Sequence, residues 1–279
     1  MNEPHRPLRV TMVNKYYSPP HLGGVETVVR TLSEGLVEHA GMRVRPTGSN
    51  EGRERVEENI GGVDVVRLPR RLAVSSAPVA LGMSRALRAE ARRSGPEGPE
   101  PPDVVNLHFP YPWGELSFLW ARLRVPSVVL YHSDIVRQKR LLTAYRPFLE
   151  RFLDRVDLIV TSSPNIIKGS EFLAPRAEKC RVVPFGLPPQ RLTTTPAILE
   201  RAAELRAAHP GRKIVLFVGR LVYYKGVDVL VRAMANVDAD LVLIAMGFWG
   251  PALGPIVEEL GLRRGPGGLP ERDALAMTS

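Results

Sequence analysis

Two adjacent glycines, Gly23 and Gly24, lie in the stretch His21-Leu22-Gly23-Gly24-Val25-Glu26, between an apolar run and a helical pattern. Paired glycines let a backbone approach a ligand closely, and a helix opening there offers free N–H groups and the positive end of its dipole. That suits a phosphate or a developing negative charge. A tight strand-to-helix turn without a ligand explains the same residues, and both readings stand. The stretch is not G-x-G-x-x-G, because the third glycine is absent and no acid ends the next strand.

Gly219-Arg220 closes a later apolar run, and Lys225-Gly226 opens the helical pattern after it. Strand ends facing a crevice are where open α/β sheets bind ligands. Two fixed cations there could hold a diphosphate and stabilise its charge as it leaves. A solvated loop arginine and lysine are the bland alternative. His108 and His132 each end an apolar run, and both could face the crevice of the Gly23-Gly24 turn. Ser133 and Asp134, next to His132, could orient its ring. A structural, hydrogen-bonded histidine is the competing reading, more so for His108. His5, His21, His39 and His209 form no metal-ligand spacing with one another or with acids, so no bound metal is expected.

These residues need a frame that brings chain ends together. Residues 9–14, 42–47, 63–68, 103–108, 127–131, 158–162 and 180–183 read as strands rich in Val, Leu and Ile, as buried parallel strands are. Helical patterns lie between several of them. In the first, Val25, Val28, Val29, Leu32 and Leu36 make one stripe. Others cover 80–93 and 137–156. The last carries an apolar stripe of Leu141, Tyr145, Leu149, Phe152 and Val156, with Arg140, Arg146, Arg151 and Arg155 off it. Such a helix can lie on an anionic membrane or pack its stripe on a sheet. Pro147 argues against one continuous interfacial helix there.

The proline- and glycine-rich segment 94–102 reads as a connector, and 185–196 marks a second break in composition. After it the alternation restarts: helix 197–208, strand 213–218, helix 227–235, strand 240–245, helix 252–260. The pattern predicts an α/β fold in two domains, 1–187 and 188–279. The second is short for such a domain, and its end, from Arg263, reads as a tail without a strand.

Six stretches in order, PPHLGGVETVVRTLSEGL, DVVNLHFPYP, VVLYHSDIVRQ, VDLIVTSSPN, VVPFGL and LFVGRLVYYKGVDVLVRAM, resemble family 4 of the retaining glycosyltransferases. The resemblance runs from Leu8 to Leu262. It implies a GT-B-like fold of two Rossmann-like domains, the first binding the acceptor and the second a nucleotide-diphosphate sugar. It also implies transfer to an acceptor hydroxyl with retention, without a metal or other cofactor. Carried over by motif, Gly23 and Gly24 would border the donor phosphates and the acceptor. His132 would contact the transferred sugar, and Arg220 and Lys225 would hold the diphosphate.

The departures from the family pattern fall late in the chain. A later E-x7-E motif would grip sugar and ribose; the literal match here, Glu26 to Glu34, lies in the first helix and the wrong domain. The glycine loop after the second strand of that domain is altered to MGFWGPALG, residues 246–254. These departures lead to the expectation of an incomplete second domain, from a truncated or frame-shifted reading frame, and leave the activity of the enzyme in this form open. A non-catalytic remnant keeping only acceptor or membrane-surface binding is the alternative.

Composition narrows the partners. The net charge is +9, with a sequence pI near 10.0. Such charge fits nucleic acid, an anionic membrane, a phosphorylated small molecule, or solubility alone. Nucleic acid is not expected, since aromatic platforms and a recognition element are lacking. The expected partners are a nucleotide-sugar donor and a lipid-linked or small glycan acceptor, with peripheral contact to an anionic membrane. A dinucleotide oxidoreductase would suit the fold but not the glycine spacing. One cysteine, Cys180, excludes an internal disulfide framework and a cysteine-based zinc site. The first ten residues show no secretory signal, and no run approaches the ~20 apolar residues of a membrane span. The expected location is cytoplasmic, peripheral at the inner face of the membrane.

Overall fold

A computed structural model describes residues 6–21, 23–74, 77–92, 101–135, 139–246, 255–256, 259, 263–264 and 274–278. The chain divides into two units, Met1–Arg191 and Leu192–Ser279.

The first unit is built on one sheet. Its strands are β1 (Arg9–Val13), β2 (Arg43–Ser49), β3 (Val56–Ile60), β4 (Val63–Leu68), β7 (Val104–Phe109), β8 (Ser127–Tyr131), β9 (Leu158–Thr161) and β10 (Cys180–Val182). The order across the sheet is β10-β9-β8-β7-β1-β2-β4-β3. Every neighbouring pair is parallel except β3 with β4. A short antiparallel ladder of β5 (Leu72–Val74) and β6 (Ala77–Val79) stands apart.

Successive strand residues point to opposite faces, so the sheet buries two separate cores. Val10, Met12, Val44, Val63 and Val65 pack with Val25, Val29, Leu32 and Leu36 of α1 (Gly24–Ala40). Val13, Val66, Val105, Leu107, Val129 and Ile159 pack on the other side. There they meet α2 (Met83–Ala91), α3 (Pro112–Ala121), α4 (Lys139–Arg155) and the short α5 (Pro164–Gly169). Full burial of each such side chain stabilises the fold by about 1.5–3 kcal/mol.

Two readings of the basic helix are decided here. Helix α4 runs continuously through Pro147. Pro147 and Thr143, one turn earlier, are both exposed, so the missing N–H falls on the solvent side of the helix. The apolar stripe is taken up by the core: Leu149, Phe152, Leu153 and Val156 are fully buried. Most of the connector at 94–102 lies outside the described residues.

The second unit has the sheet order β11-β12-β14-β13. Strands β11 (Ile214–Arg220) and β12 (Asp240–Met246) are parallel, and α7 (Val227–Met234) crosses between them. Val227, Val231 and Met234 of α7 are buried with Leu241 and Leu243. On the opposite face, Leu216 is 51% and Val218 67% exposed. Helix α6 (Pro196–Ala207) buries none of its residues.

The tail, expected to lack strands, forms β13 (Arg263–Arg264) and β14 (Ala274–Thr278). Strand β14 pairs antiparallel with β12, Leu243 opposite Leu275. Pairing with an open strand edge, not local propensity, makes ALAMT extended. The helix expected over 252–260 and the altered glycine loop fall almost entirely outside the described residues.

Candidate active site

In the first unit, β1 sits beside both β2 and β7, and the chain leaves the two sides of this point in opposite directions. The carboxyl ends of β1 and β7 therefore border a topological switch point, where open α/β sheets form crevices. Asn14 turns the chain out of β1 by donating Nδ2–H to the Tyr16 carbonyl at 2.7 Å. The Ser49 amide, at the end of β2, donates to the Lys15 carbonyl at 3.0 Å. A Cβ on Gly48 would stand 3.1 Å from the Asn14 carbonyl oxygen, so a glycine lets these segments pass.

Gly23 caps α1 in an extended conformation with no side-chain cap, and Gly24 is the first helical residue. A Cβ on Gly23 would run into the Glu26 carboxylate, whereas one on Gly24 would meet nothing within 4 Å. The two glycines thus differ. Gly23 makes room for the helix's own carboxylate, and Gly24 faces open space. Beside the turn, the His21 ring stacks on Tyr16 with centroids 3.7 Å apart. Burial lowers the His21 pKa against the pull of Glu51 and Glu26.

His108 lies in β7, and the parallel register sets it against Leu130 of β8. His132 follows β8, its amide donating to the Phe109 carbonyl at 3.1 Å. Nδ1 of His108 and Nε2 of His132 are hydrogen-bonded at 3.0 Å, with the rings nearly parallel. Burial pushes His132 down to about 4, and drives His108 well below the usual histidine range with help from His132. Both rings are neutral at pH 7.

The expected partners of His132 need correction. Asp134 Oδ1 instead accepts the Tyr131 hydroxyl at 2.5 Å and the Ser170 hydroxyl at 2.7 Å, and Ser133 is exposed. Among the described residues, the His132 ring meets His108 and Phe185, the latter with its centroid 5.1 Å away. Nothing in the spacing reveals either contact. The buried acid Glu115 was also hidden. Its Oε1 accepts the Tyr111 amide at 2.7 Å, and Tyr145 Oη bonds Oε2. Burial pushes its carboxyl up to about 8.

In the second unit, Arg220 ends β11 and Lys225 closes the 3-10 turn Tyr223–Lys225 before α7. Gly226 caps that helix at φ 64°, a left-handed conformation that favours glycine. The Lys225 amine lies 5.9 Å from the centre of the Tyr224 ring. Arg220 and Lys225 are exposed, and among the described residues neither pairs with a carboxylate. The structure therefore places two of the candidate residues on one strand-to-helix connection. Gly23, Gly24 and His132 belong to the first unit.

The family model described as Glycosyltransferase Family 4 matches residues 22–191. The chain belongs to glycosyltransferase family 4. Among family relatives, it is 34% identical to D-rhamnosyltransferase WbpZ of Pseudomonas aeruginosa, across 92% of this chain and 64% of that protein. It is 33% identical to O-antigen chain mannosyltransferase C of Escherichia coli, across 86% of this chain and 61% of the relative. The family 4 chain thus spans less than two thirds of the length of these relatives. Sucrose-phosphate synthase from Thermosynechococcus elongatus superposes with a TM-score of 0.66 at 19% identity, covering 91% of this chain and 68% of that one. The fold is GT-B-like.

In this family 4 chain, among the described residues, no three His, Cys, Asp or Glu side chains gather in a metal-binding cluster. Among the same residues no helix is long and apolar enough to cross a membrane.

Proposed function

We propose that the protein transfers a mannose-configured sugar from a nucleoside-diphosphate sugar to an acceptor hydroxyl, with retention at the sugar carbon. The observation that carries this reading is the pair Arg220 and Lys225. Both are free of carboxylate partners among the described residues, and they sit on one strand-to-helix connection. Such cations are suited to a diphosphate and to the charge it gains as the glycosidic bond breaks. Their countercharge makes a metal unnecessary. The open side of Gly24, at the N-terminus of α1, suits donor phosphates or the acceptor. His132 would contact the transferred sugar.

Retention then follows from same-face attack as the diphosphate departs, with positioning and charge stabilisation as the main contributions. The choice of sugar follows the names of the relatives, since D-rhamnose is 6-deoxymannose, and the choice of GDP follows a 28% identical relative named GDP-mannose-dependent alpha-mannosyltransferase. Turnover with GDP-mannose and GDP-glucose, product anomers read by NMR, tests the reading. Transfer of glucose in preference to mannose, or an inverted anomer, overturns it.

The acceptor in this reading is a glycan hydroxyl, lipid-linked or small, met in the cytoplasm at the inner face of the membrane. Arg122, Arg124, Arg151 and Arg155, with one acid, Asp154, line a hollow of 540 Å³, a surface whose excess of arginine suits anionic headgroups.

A further inference from the structure

The pair His108 and His132 admits two arrangements of its protons. One nitrogen of the pair must donate across the 3.0 Å contact and the other must accept. If His132 donates from Nε2, the proton of His108 sits on its own Nε2. That atom is buried and has no hydrogen-bond partner, so a donor would be stranded in the core. If His108 donates from Nδ1, its Nε2 carries only a lone pair. A buried orphan N–H is rarer and more costly than an under-used acceptor. The second arrangement therefore wins.

We infer that His108 is a positioning residue: its Nδ1–H holds His132 Nε2 as acceptor and thereby places the His132 proton on Nδ1. His132 is then a neutral donor at its other ring nitrogen. It presents an N–H to an oxygen lone pair, such as that of a sugar hydroxyl, and is not the base that removes a proton. The tautomer stands on the geometry alone. Its use toward a sugar rests on the proposed transfer. The carboxylate that usually orients a histidine is replaced here by a second, less accessible imidazole: His108 is 2% exposed.

Long-range proton–nitrogen NMR of histidine-labelled protein tests this directly, since protonated and bare ring nitrogens resonate far apart. Signals are assigned by loss in His132→Gln and His108→Asn. In the wild type, His132 and His108 are both expected as Nδ1–H tautomers. His108→Phe keeps a ring but removes the donor. It is expected to shift the Nδ1–H to Nε2–H ratio of His132 by about tenfold, the worth of one ordinary hydrogen bond. His108→Asn, whose amide can donate from a similar place, restores the Nδ1–H form. A wild-type His132 protonated at Nε2 overturns the inference, as does one tautomer shared by wild type and His108→Phe. Should His108→Phe fail to fold, the wild-type spectrum and His108→Asn still decide. None of these readings requires turnover, so failure of the transfer proposal leaves them intact.

Discussion

His209 and Asp240 form a buried pair, Nδ1 to Oδ2 at 2.7 Å, with Asp240 opening β12. Arg212 adds a bond to the other carboxylate oxygen at 3.1 Å. Burial alone would raise the Asp240 pKa, but the bonds from His209 and Arg212 outweigh it and hold it below the usual range. The folded state therefore favours the carboxylate more than the unfolded chain does. This stability is present above the unfolded value of about 4 and is lost as pH falls through the folded one. Asp240→Asn is expected to lower stability by about 1–3 kcal/mol at pH 7, with the gap closing at low pH. Urea melts across pH 3–7 give the answer, and a gap that does not narrow contradicts the account.

Glu115 gives the opposite sign. Its folded value of about 8 lies above the unfolded value of about 4.3, so the folded state keeps a proton that the unfolded chain releases. Its stability contribution is whole below about pH 4.3 and falls away as pH rises toward about 8. Glu115→Gln, which mimics the protonated acid, should raise the melting temperature at pH 8 and leave it unchanged near pH 4. Equal effects at both values would show that burial does not control this group.

Arg220→Ala and Lys225→Ala should each weaken GDP-mannose binding by tenfold or more, in line with about 1.5–3 kcal/mol for a charge-assisted hydrogen bond. Calorimetry reads the loss, and melting curves confirm that each variant folds. Unchanged affinity in both removes the diphosphate assignment.

Gly226→Ala places a side chain at φ 64°, which carries a penalty of about 1–2 kcal/mol. Because Gly226 caps α7 directly after Lys225, the variant should also lose donor affinity. A stability loss with full affinity would separate the turn from ligand binding.

Flotation with vesicles tests the arginine-lined hollow. Arg122→Glu with Arg151→Glu should release the protein from phosphatidylglycerol vesicles, while neutral vesicles bind neither form. Wild-type retention that ignores salt would argue against an electrostatic contact.

The frame of the fold is legible in the sequence because β1, β7, β8 and β9 are short runs rich in Val, Leu and Ile and α1 carries a clear stripe. Arg220 and Lys225 likewise stand where the strand–helix alternation predicts. Helix α3 escapes such reading because it is apolar nearly all round and begins at a proline, leaving no stripe to find. Strand β3 escapes because its centre, Glu57 to Asn59, is polar and exposed on the sheet edge. The contact of His108 with His132 depends on the register of two strands, and Phe185 reaches the same ring from much later in the chain. Such meetings are decided by tertiary pairing, so spacing along the chain does not show them.

The bare face of β11 has a colloidal consequence. Leu216, Val218 and the neighbouring Ile244 form an apolar strip on a molecule whose net charge is +9. In dilute salt, mutual repulsion keeps such molecules apart. At physiological ionic strength the screening length shrinks to about 8 Å, and short-range attraction between strips takes over. Light scattering should therefore turn from repulsive to attractive as salt is added, and Val218→Thr should move that crossover to higher salt.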